Sequence, residues 1–382
     1  MASATIKRNS LKVRLGDVAN QVRYKVADPA SEGITHYLPG GGVRDDSFHI
    51  SEWLSVDDGV MGPAFQMRFL PGHTLYKSRV PHGVGVADRK GICANTTYVI
   101  EANPEKLLPE LLPFILITDQ FRQFEKDNNR GSTNLFLNYN QIAEYEFHLP
   151  PLDEQRHIAD LLWAFFDVQN SLEEARDAAT KLFTSLLHEV TLPRPHWRNI
   201  ALGKAVQIDI SRVKVEGGEK YRMCGVLGFG KGLFENGIAD SKSTKYKFLH
   251  RLQVDQLVFR KITAWESPIA IVTSNFDGYF VSPEFPTFTL DKNQISPGFM
   301  SILYKTEQFK KEMQARCTGT LLRRMRLNPS ELLKIPVSLP PLDEQKEVVL
   351  KLEALQNTLS SIAQHLNSTR RLMKLALEKR LS

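Results

Sequence analysis

The string LPPLDEQ occupies Leu149–Gln155 and recurs without a mismatch at Leu339–Gln345, 190 residues further on. That offset is half of the 382-residue chain. It is far longer than a solenoid unit of roughly 20 to 50 residues, so the repeat marks a duplicated domain. Weaker echoes keep nearly the same offset. LGDVANQ from Leu15 resembles LGKAVQI from Leu202, Phe121-Arg122 aligns with Phe309-Lys310, and a Gly-Ser/Thr step recurs at Gly131-Ser132 and Gly319-Thr320.

After each copy the pattern turns helical. Two prolines stop the element before them, and Asp153 or Asp343 stands where an N-cap side chain would accept orphan backbone N–H bonds. Apolar residues then step by three and four. The first seam is Ile158, Leu161, Phe165, Val168, Leu172, Ala175, Ala179, Leu182 and Leu186. The second is Val348, Leu352, Leu355, Leu359, Ile362, Leu366, Thr369, Met373 and Ala376. Such seams predict coiled-coil helices of about 35 residues, or about 50 Å at 1.5 Å per residue, and a helix that long needs a partner along its length. Charge favours pairing of the two helices: residues 151–195 hold 4 basic and 8 acidic side chains, whereas 339–382 hold 7 and 5. Packing of each helix on its own domain is the other arrangement a seam allows.

Between the helices lie segments of a different kind. TTYVIEA (Thr96–Ala102), DQLVFRKI (Asp255–Ile262), AIVTS (Ala270–Ser274) and TFTL (Thr287–Leu290) are β-branched or aromatic and bounded by Gly, Pro, Asn and Asp, as strands are. LLPELLPFILITDQFRQFEK and PGFMSILYKTEQFKKEMQ read as short apolar helices ahead of the Gly-Ser/Thr steps. The expectation is an α+β protein of two globular domains, 1–150 and 193–338, each followed by a long helix, 151–192 and 339–382.

The net charge of +6 is unevenly placed: residues 1–150 carry 16 basic and 17 acidic groups, residues 196–338 carry 22 and 13. In the second domain Arg316, Arg323, Arg324 and Arg326 crowd around a Gly-Thr turn. Lys242, Lys245, Lys247, Arg260 and Lys261 form another group with Tyr246 and Trp265 interleaved. Lys and Arg bind phosphates, and fixed donor geometry reads base edges, so nucleic acid is the natural anionic partner; a solvated charged face is the plain alternative.

Other chemistry finds little support. GVLGFGK (Gly225–Lys231) has the spacing of a phosphate-binding loop, but Gly232 follows where Ser or Thr must hold magnesium. The same glycines suit either close approach of Lys231 to a DNA backbone or an ordinary turn. Neither HExxH nor a GxSxG elbow is present, and Cys93, Cys224 and Cys317 form no CxxC pair, so no metal and no catalytic residue is expected. The Pro-Pro pairs are flanked by Leu, unlike the Pro-Pro-aromatic motif of DNA amino-methyltransferases. Without an apolar run of roughly 18 residues or the apolar core of a signal peptide, a cytoplasmic protein is expected.

Two variable halves, each followed by LPPLDEQ and a heptad helix, resemble the specificity (S) subunit of type I DNA restriction-modification enzymes. GKGLF (Gly230–Phe234), LVFRKITAWES (Leu257–Ser267) and GTLLRRMRLNP (Gly319–Pro329) are similar to strings common in the target recognition domains of that family. The resemblance implies two such domains held by an antiparallel coiled coil of conserved helices with pseudo-twofold symmetry. Each domain reads one half of a bipartite, asymmetric site in double-stranded DNA, and the helices set the spacer. It implies a non-catalytic chain on which two modification (methyltransferase) subunits dock, with restriction/translocase subunits added. S-adenosylmethionine, and ATP and Mg for restriction, are used by those partners and not bound here.

On the matching strings, the DNA-contacting residues are Lys231, Arg260, Lys261, Trp265, Arg323, Arg324 and Arg326. Alignment of the halves adds Lys77, Arg79, Arg89, Lys90, Arg130 and Asn134, although the first domain departs from the GKGLF and RKITAW patterns. Asp153, Glu154, Gln155, Asp343, Glu344 and Gln345 are where the resemblance places the modification-subunit contacts. A coiled-coil adaptor binding only protein is the competing reading, distinguished by the steep salt dependence that DNA binding requires.

Overall fold

The computed structural model describes residues 10–44, 47–50, 52–190, 192, 194–321 and 325–381. Arg323 and Arg324 lie outside the described residues. The chain divides into two compact units, Met1–Glu174 with Gln364–Ser382, and Ala175–Ala363.

In the first unit the order is β1 (Leu11–Arg14), α1 (Leu15–Val18), β2 (Ala19–Val22), β3 (His36–Leu38), β4 (Leu54–Ser55), β5 (Phe65–Phe69), β6 (Thr74–Lys77), β7 (Gly83–Val86), β8 (Gly91–Ala94) and β9 (Thr97–Ala102). Helices α2 (Leu112–Ile115), α3 (Asp119–Asn128) and α4 (Tyr139–Ala143) follow, then β10 (Glu146–Leu149) and the long α5 (Leu152–Glu189). The second unit carries β11 (Arg198–Ala201), β12 (Val206–Ile208), β13 (Ser211–Lys214), β14 (Tyr221–Val226), β15 (Leu233–Ala239), β16 (Phe248–Arg251), β17 (Leu257–Phe259), β18 (Ile269–Ile271), β19 (Phe280–Val281) and β20 (Thr287–Leu290). Then come α6 (Pro297–Leu303), α7 (Glu307–Ala315), α8 (Pro329–Leu332), β21 (Pro336–Leu339) and the long α9 (Leu342–Leu381).

The duplication reaches the strand connectivity. The antiparallel sheet β2-β9-β6-β7 of the first unit has its counterpart in β12-β20-β17-β18. The second sheet, β4-β3-β8-β5, corresponds to β15-β14-β19-β16-β13, with one parallel pair in each, β3/β8 and β14/β19. The extra edge strand β13 survives in the first unit as a single bridge, Lys25 to Met67 beside β5. The first domain's departure from the second in sequence is therefore not a departure in fold.

Local devices repeat as well. Thr118 and Thr306 are buried N-caps whose hydroxyls accept the N–H of Phe121 (3.2 Å) and Phe309 (3.3 Å), which is why each expected apolar helix is broken into two. The Leu15 N–H donates to Tyr145 O and the Leu202 N–H to Ile335 O, both at 2.9 Å. Beside these bonds Gly16 and Gly203 have no room for a side chain. A Cβ would stand 3.0 Å from the Cβ and 3.2 Å from the carbonyl oxygen of Ala143 or Leu333. Gly203→Ala is expected to destabilise the second unit by about 1–3 kcal/mol, read as a shift of its thermal unfolding, because a backbone carbonyl must give way.

The repeated string is a joint. Leu149 and Leu339 are buried, and the carbonyls of Pro151 and Pro341 accept the first helical bonds, from Gln155 N (2.9 Å) and Gln345 N (3.0 Å). The helices thus begin two residues earlier than expected, with the prolines as caps and Asp153 and Asp343 inside the first turn, where their charge suits the positive helix end. Gln155 and Gln345, expected among the subunit contacts, are instead 1% and 0% exposed. Gln155 Nε2 donates to Lys106 O and Pro150 O (both 2.8 Å), while its Oε1 accepts Leu108 N–H (2.9 Å). Gln345 repeats the pattern on Gln294 O (2.8 Å), Pro340 O (3.0 Å) and Ser296 N–H (2.9 Å). These amides tie helix to globular fold and leave no polar atom for a partner.

Within each unit the two long helices pack together. In the first, Ile158, Leu162 and Phe166 of α5 share a core with Met373, Leu377 and Leu381 of α9. In the second, Phe183, Leu186 and Leu187 of α5 share one with Val348, Val349 and Leu352 of α9. The start of each helix thus meets the end of the other, an antiparallel coiled coil. The seam expected in α9 is buried or half-buried throughout. In α5 it is displaced after Ile158, which is buried as expected: Leu161, Val168 and Leu182 are 39%, 50% and 51% exposed, and Ala159, Leu162 and Phe166 are buried in their place. The cause is a second neighbour, since Phe166 also packs on Phe48 of the globular fold (ring centroids 4.9 Å apart). Among the described residues no helix is long and apolar enough to cross a membrane.

Candidate nucleic-acid interface

Three separate stretches of the second unit converge. Strand β17 ends at Phe259, and Arg260 and Lys261 lead into a tight turn at Ala264–Glu266. Strand β14 leads to the turn Gly228–Gly230. The Gly230 N–H donates to Ser267 O (3.3 Å), and the ring of Phe229 meets that of Trp265 edge to face at 6.3 Å. The third stretch is a hairpin closed by the reciprocal bonds Thr318 N–Arg326 O and Arg326 N–Thr318 O, both 2.8 Å. Leu327 N–H donates to Lys261 O (3.0 Å), which places this hairpin against the first stretch.

Strain concentrates here. Four described residues other than glycine have positive φ, and three of them, Phe229 (60°), Thr263 (56°) and Ser267 (48°), belong to this convergence. Each such conformation costs about 1–3 kcal/mol and persists only where the surroundings impose it, which makes the cluster a functional candidate.

The cations are not equivalent. Lys231 is exposed, with no hydrogen bond or ion pair from its side chain among the described residues. Arg260 is half-buried; its guanidinium reaches Glu266 (2.8 Å) and Ile262 O (3.1 Å), so it braces the turn with its charge compensated. Lys261 (3.9 Å) and Arg326 both face the Glu284 carboxylate. Lys305 packs beneath Gly230, and burial pulls its ammonium pKa down. Trp265 is half-buried, its carbonyl taking Gln314 Nε2 (2.9 Å). Lys242, Lys245 and Lys247 are exposed on the connection from β15 to β16, strands of one sheet, whereas Arg260 and Lys261 follow β17 of the other. The group read along the sequence is therefore divided in space.

The first unit repeats the hairpin. Arg130 and Phe136 exchange bonds of 2.8 and 2.9 Å, and Leu137 N–H donates to Ser78 O (2.9 Å). Its turn begins at Gly131 (φ 95°), the counterpart of Gly319 (φ 120°). Arg79 bridges to Phe136, so Lys77, Arg79, Arg130 and Asn134 belong to this end. Arg89 and Lys90 do not. They follow the opposite end of β7, about 10 Å along the strand. Arg89 is paired with Asp88 (3.1 Å) and lies over Trp53 (4.9 Å), while Lys90 Nζ is bound to Glu32 O (2.5 Å).

Beside Arg130 lies a groove of about 430 Å³ that the sequence did not single out, lined by Arg23, Asn95, Asn138 and Asn140 with Tyr98 and Tyr139 as aromatic walls. Arginine and amide side chains are the groups that pair bidentately with base edges. Only the dense run Asn138-Tyr139-Asn140-Gln141 could have signalled it; Arg23 and Asn95 arrive through sheet topology. Phe229 and Glu284 were missed for the same reason.

At the helix starts, Glu344 accepts from Trp197 Nε1 (3.0 Å) and His196 Nε2 (2.9 Å), and these bonds, the Trp197 bond first, hold its carboxyl below the usual range. Asp153 and Asp343 are exposed and Glu154 half-buried.

Residues 81–181 match the family described as type I restriction modification DNA specificity domain. Over that span the chain is similar to a type I DNA specificity domain. The matched span runs from the β6–β7 hairpin through the Gly131 turn and LPPLDEQ into α5, the parts whose counterparts recur in the second unit. The specificity subunit of the type I restriction enzyme MjaVIII from Methanocaldococcus jannaschii is 23% identical over 295 residues, covering 70% of this chain and 68% of that protein. Two solved structures share the fold. One is the S subunit of a type I restriction-modification system from M. genitalium (TM-score 0.60, 15% identity, 98% of this chain and 96% of that one). The other is a chain from work on complex assembly and conformational transition of the type I R-M system (TM-score 0.52, 17% identity, 97% of each chain).

Proposed function

We propose that this chain is the non-catalytic sequence-specificity subunit of a type I restriction-modification enzyme, each globular domain reading one half of a bipartite DNA site. The observation that carries the reading is one fold built twice with different chemistry at the same place. The second domain presents Lys231, Lys261 and Arg326 around a strained aromatic turn, and the first presents arginines and amides in a groove. Identical readers would favour a symmetric target; unlike readers suit an asymmetric one.

In this reading the domains span 1–150 and 193–338, and the helices at 151–192 and 339–382 set the spacer and dock two modification subunits. Asp153, Glu154 and Asp343 supply exposed or half-exposed carboxylates for that contact. Restriction/translocase subunits complete the enzyme. S-adenosylmethionine, ATP and Mg belong to those partners, and the assembly works in the cytoplasm, where its DNA lies.

Methylation sequencing tests this. Cells expressing the chain with its modification subunit are expected to carry N6-methyladenine at one bipartite motif, absent when this chain alone is deleted. An active modification subunit whose methylation pattern ignores the deletion would refute the reading.

A further inference from the structure

We propose that Phe229 is an aromatic contact to the DNA bases of the half-site read by the second domain, a role that rests on the recognition reading above. The residue combines features that folding alone does not explain. Its ring is 49% exposed, yet its backbone sits at φ 60°, ψ 28°, where a bulky side chain is disfavoured. The neighbours impose this position. The Leu227 N–H donates to Gly232 O (2.9 Å), closing the turn, and the Gly230 N–H donates to Ser267 O (3.3 Å). A Cβ on Gly228 would meet Glu266 at 3.2 Å, and one on Gly230 would meet Lys305 and Tyr304 at 3.1 Å, so the turn is pressed onto its support from both sides of Phe229. Trp265 stands edge-on to the ring and limits its swing.

The surroundings name the partner. Lys231 stands two residues on, exposed and without a side-chain partner among the described residues, and Lys261 and Arg326 belong to the same convergence. A ring cannot neutralise phosphate. What duplex DNA offers an apolar side chain in a basic setting is the thymine methyl in the major groove or the face of a base pair opened at a step.

The test uses the full chain purified with its modification subunit and a duplex carrying the motif found by methylation sequencing. Phe229→Asn removes the ring while keeping a residue that tolerates positive φ, so the turn is retained; Phe229→Leu keeps an apolar side chain. Phe229→Asn is expected to weaken motif binding about ten- to a hundredfold. The slope of log K against log salt and the melting temperature should stay at wild-type values, and Phe229→Leu should recover part of the loss. Deoxyuridine in place of each thymine, and 2-aminopurine at each step of the half-site, distinguish methyl contact from an opened step. Wild-type discrimination retained by Phe229→Asn, or a loss accompanied by a flatter salt slope, would overturn the proposal. A wild-type complex that binds the motif no better than random DNA would instead sink the recognition reading itself.

Discussion

Gln345→Ala is expected to lower the stability of the second unit by about 3–4 kcal/mol. The amide is fully buried and makes three hydrogen bonds, so its loss strands the Ser296 N–H and the carbonyls of Gln294 and Pro340 together. Each unsatisfied buried group costs about 1–3 kcal/mol, less whatever a water entering the gap restores. Gln155→Ala should do the same to the first unit through Leu108, Lys106 and Pro150. The neighbouring Asp343→Ala serves as control: its side chain is exposed, and removing one first-turn carboxylate costs about 0.3–1 kcal/mol. Thermal unfolding of the full chain reads all three. If Gln345→Ala melts like Asp343→Ala, the glutamine is not the clamp described, and a contact role for LPPLDEQ returns.

That outcome bears on how much the sequence disclosed. Because LPPLDEQ occurs twice, the duplication and the long helices were legible before any coordinates, whereas antiparallel pairing was only what the family resemblance implied. The seam of α9 was right residue by residue, buried or half-buried throughout. The seam of α5 was displaced because Phe166 answers to Phe48 as well as to the partner helix, and periodicity cannot weigh two neighbours. The meaning of the motif was legible only in part. Aspartate after two prolines reads as a cap, yet proline takes that place, and the glutamine that does most of the holding bonds to backbone groups about 50 residues away.

The sites were less legible still, for a topological reason. Strings such as RKITAWES and GTLLRRMR marked stretches that the fold brings together, but charge along a sequence does not say which cations already have a carboxylate. Arg260 is bound to Glu266 and braces its turn, while Lys231 stands free. Arg89 and Arg130 looked alike, yet β7 separates them. Glu284 and Asn95 lie on equivalent turns, after β19 and after β8, and draw opposite chemistry around them. The carboxylate gathers Lys261 and Arg326, whereas the amide lines a groove with Arg23 and Arg130. In the proposed reading, such differences at a shared place in the fold suit unlike half-sites.

The cations of the second domain carry the other large effect. The triple variant Lys231→Ala, Lys261→Ala, Arg326→Ala is expected to flatten the slope of log K against log salt by about 2.7, at about 0.9 per phosphate contact, and to weaken DNA binding on the order of 500-fold at about 0.1 M salt. Glu284 sets the sign of a companion experiment. Its carboxylate faces both Lys261 and Arg326 and repels an approaching phosphate, so Glu284→Gln should tighten binding to random DNA and narrow the margin between the motif and random sequence. Titrations of the full chain with its modification subunit at several salt concentrations separate these effects. A triple variant with the wild-type slope would mean that phosphates are held elsewhere, with the exposed Lys242, Lys245 and Lys247 next in line. A Glu284→Gln variant that loses affinity would mean that the carboxylate positions its two cations more than it restrains them.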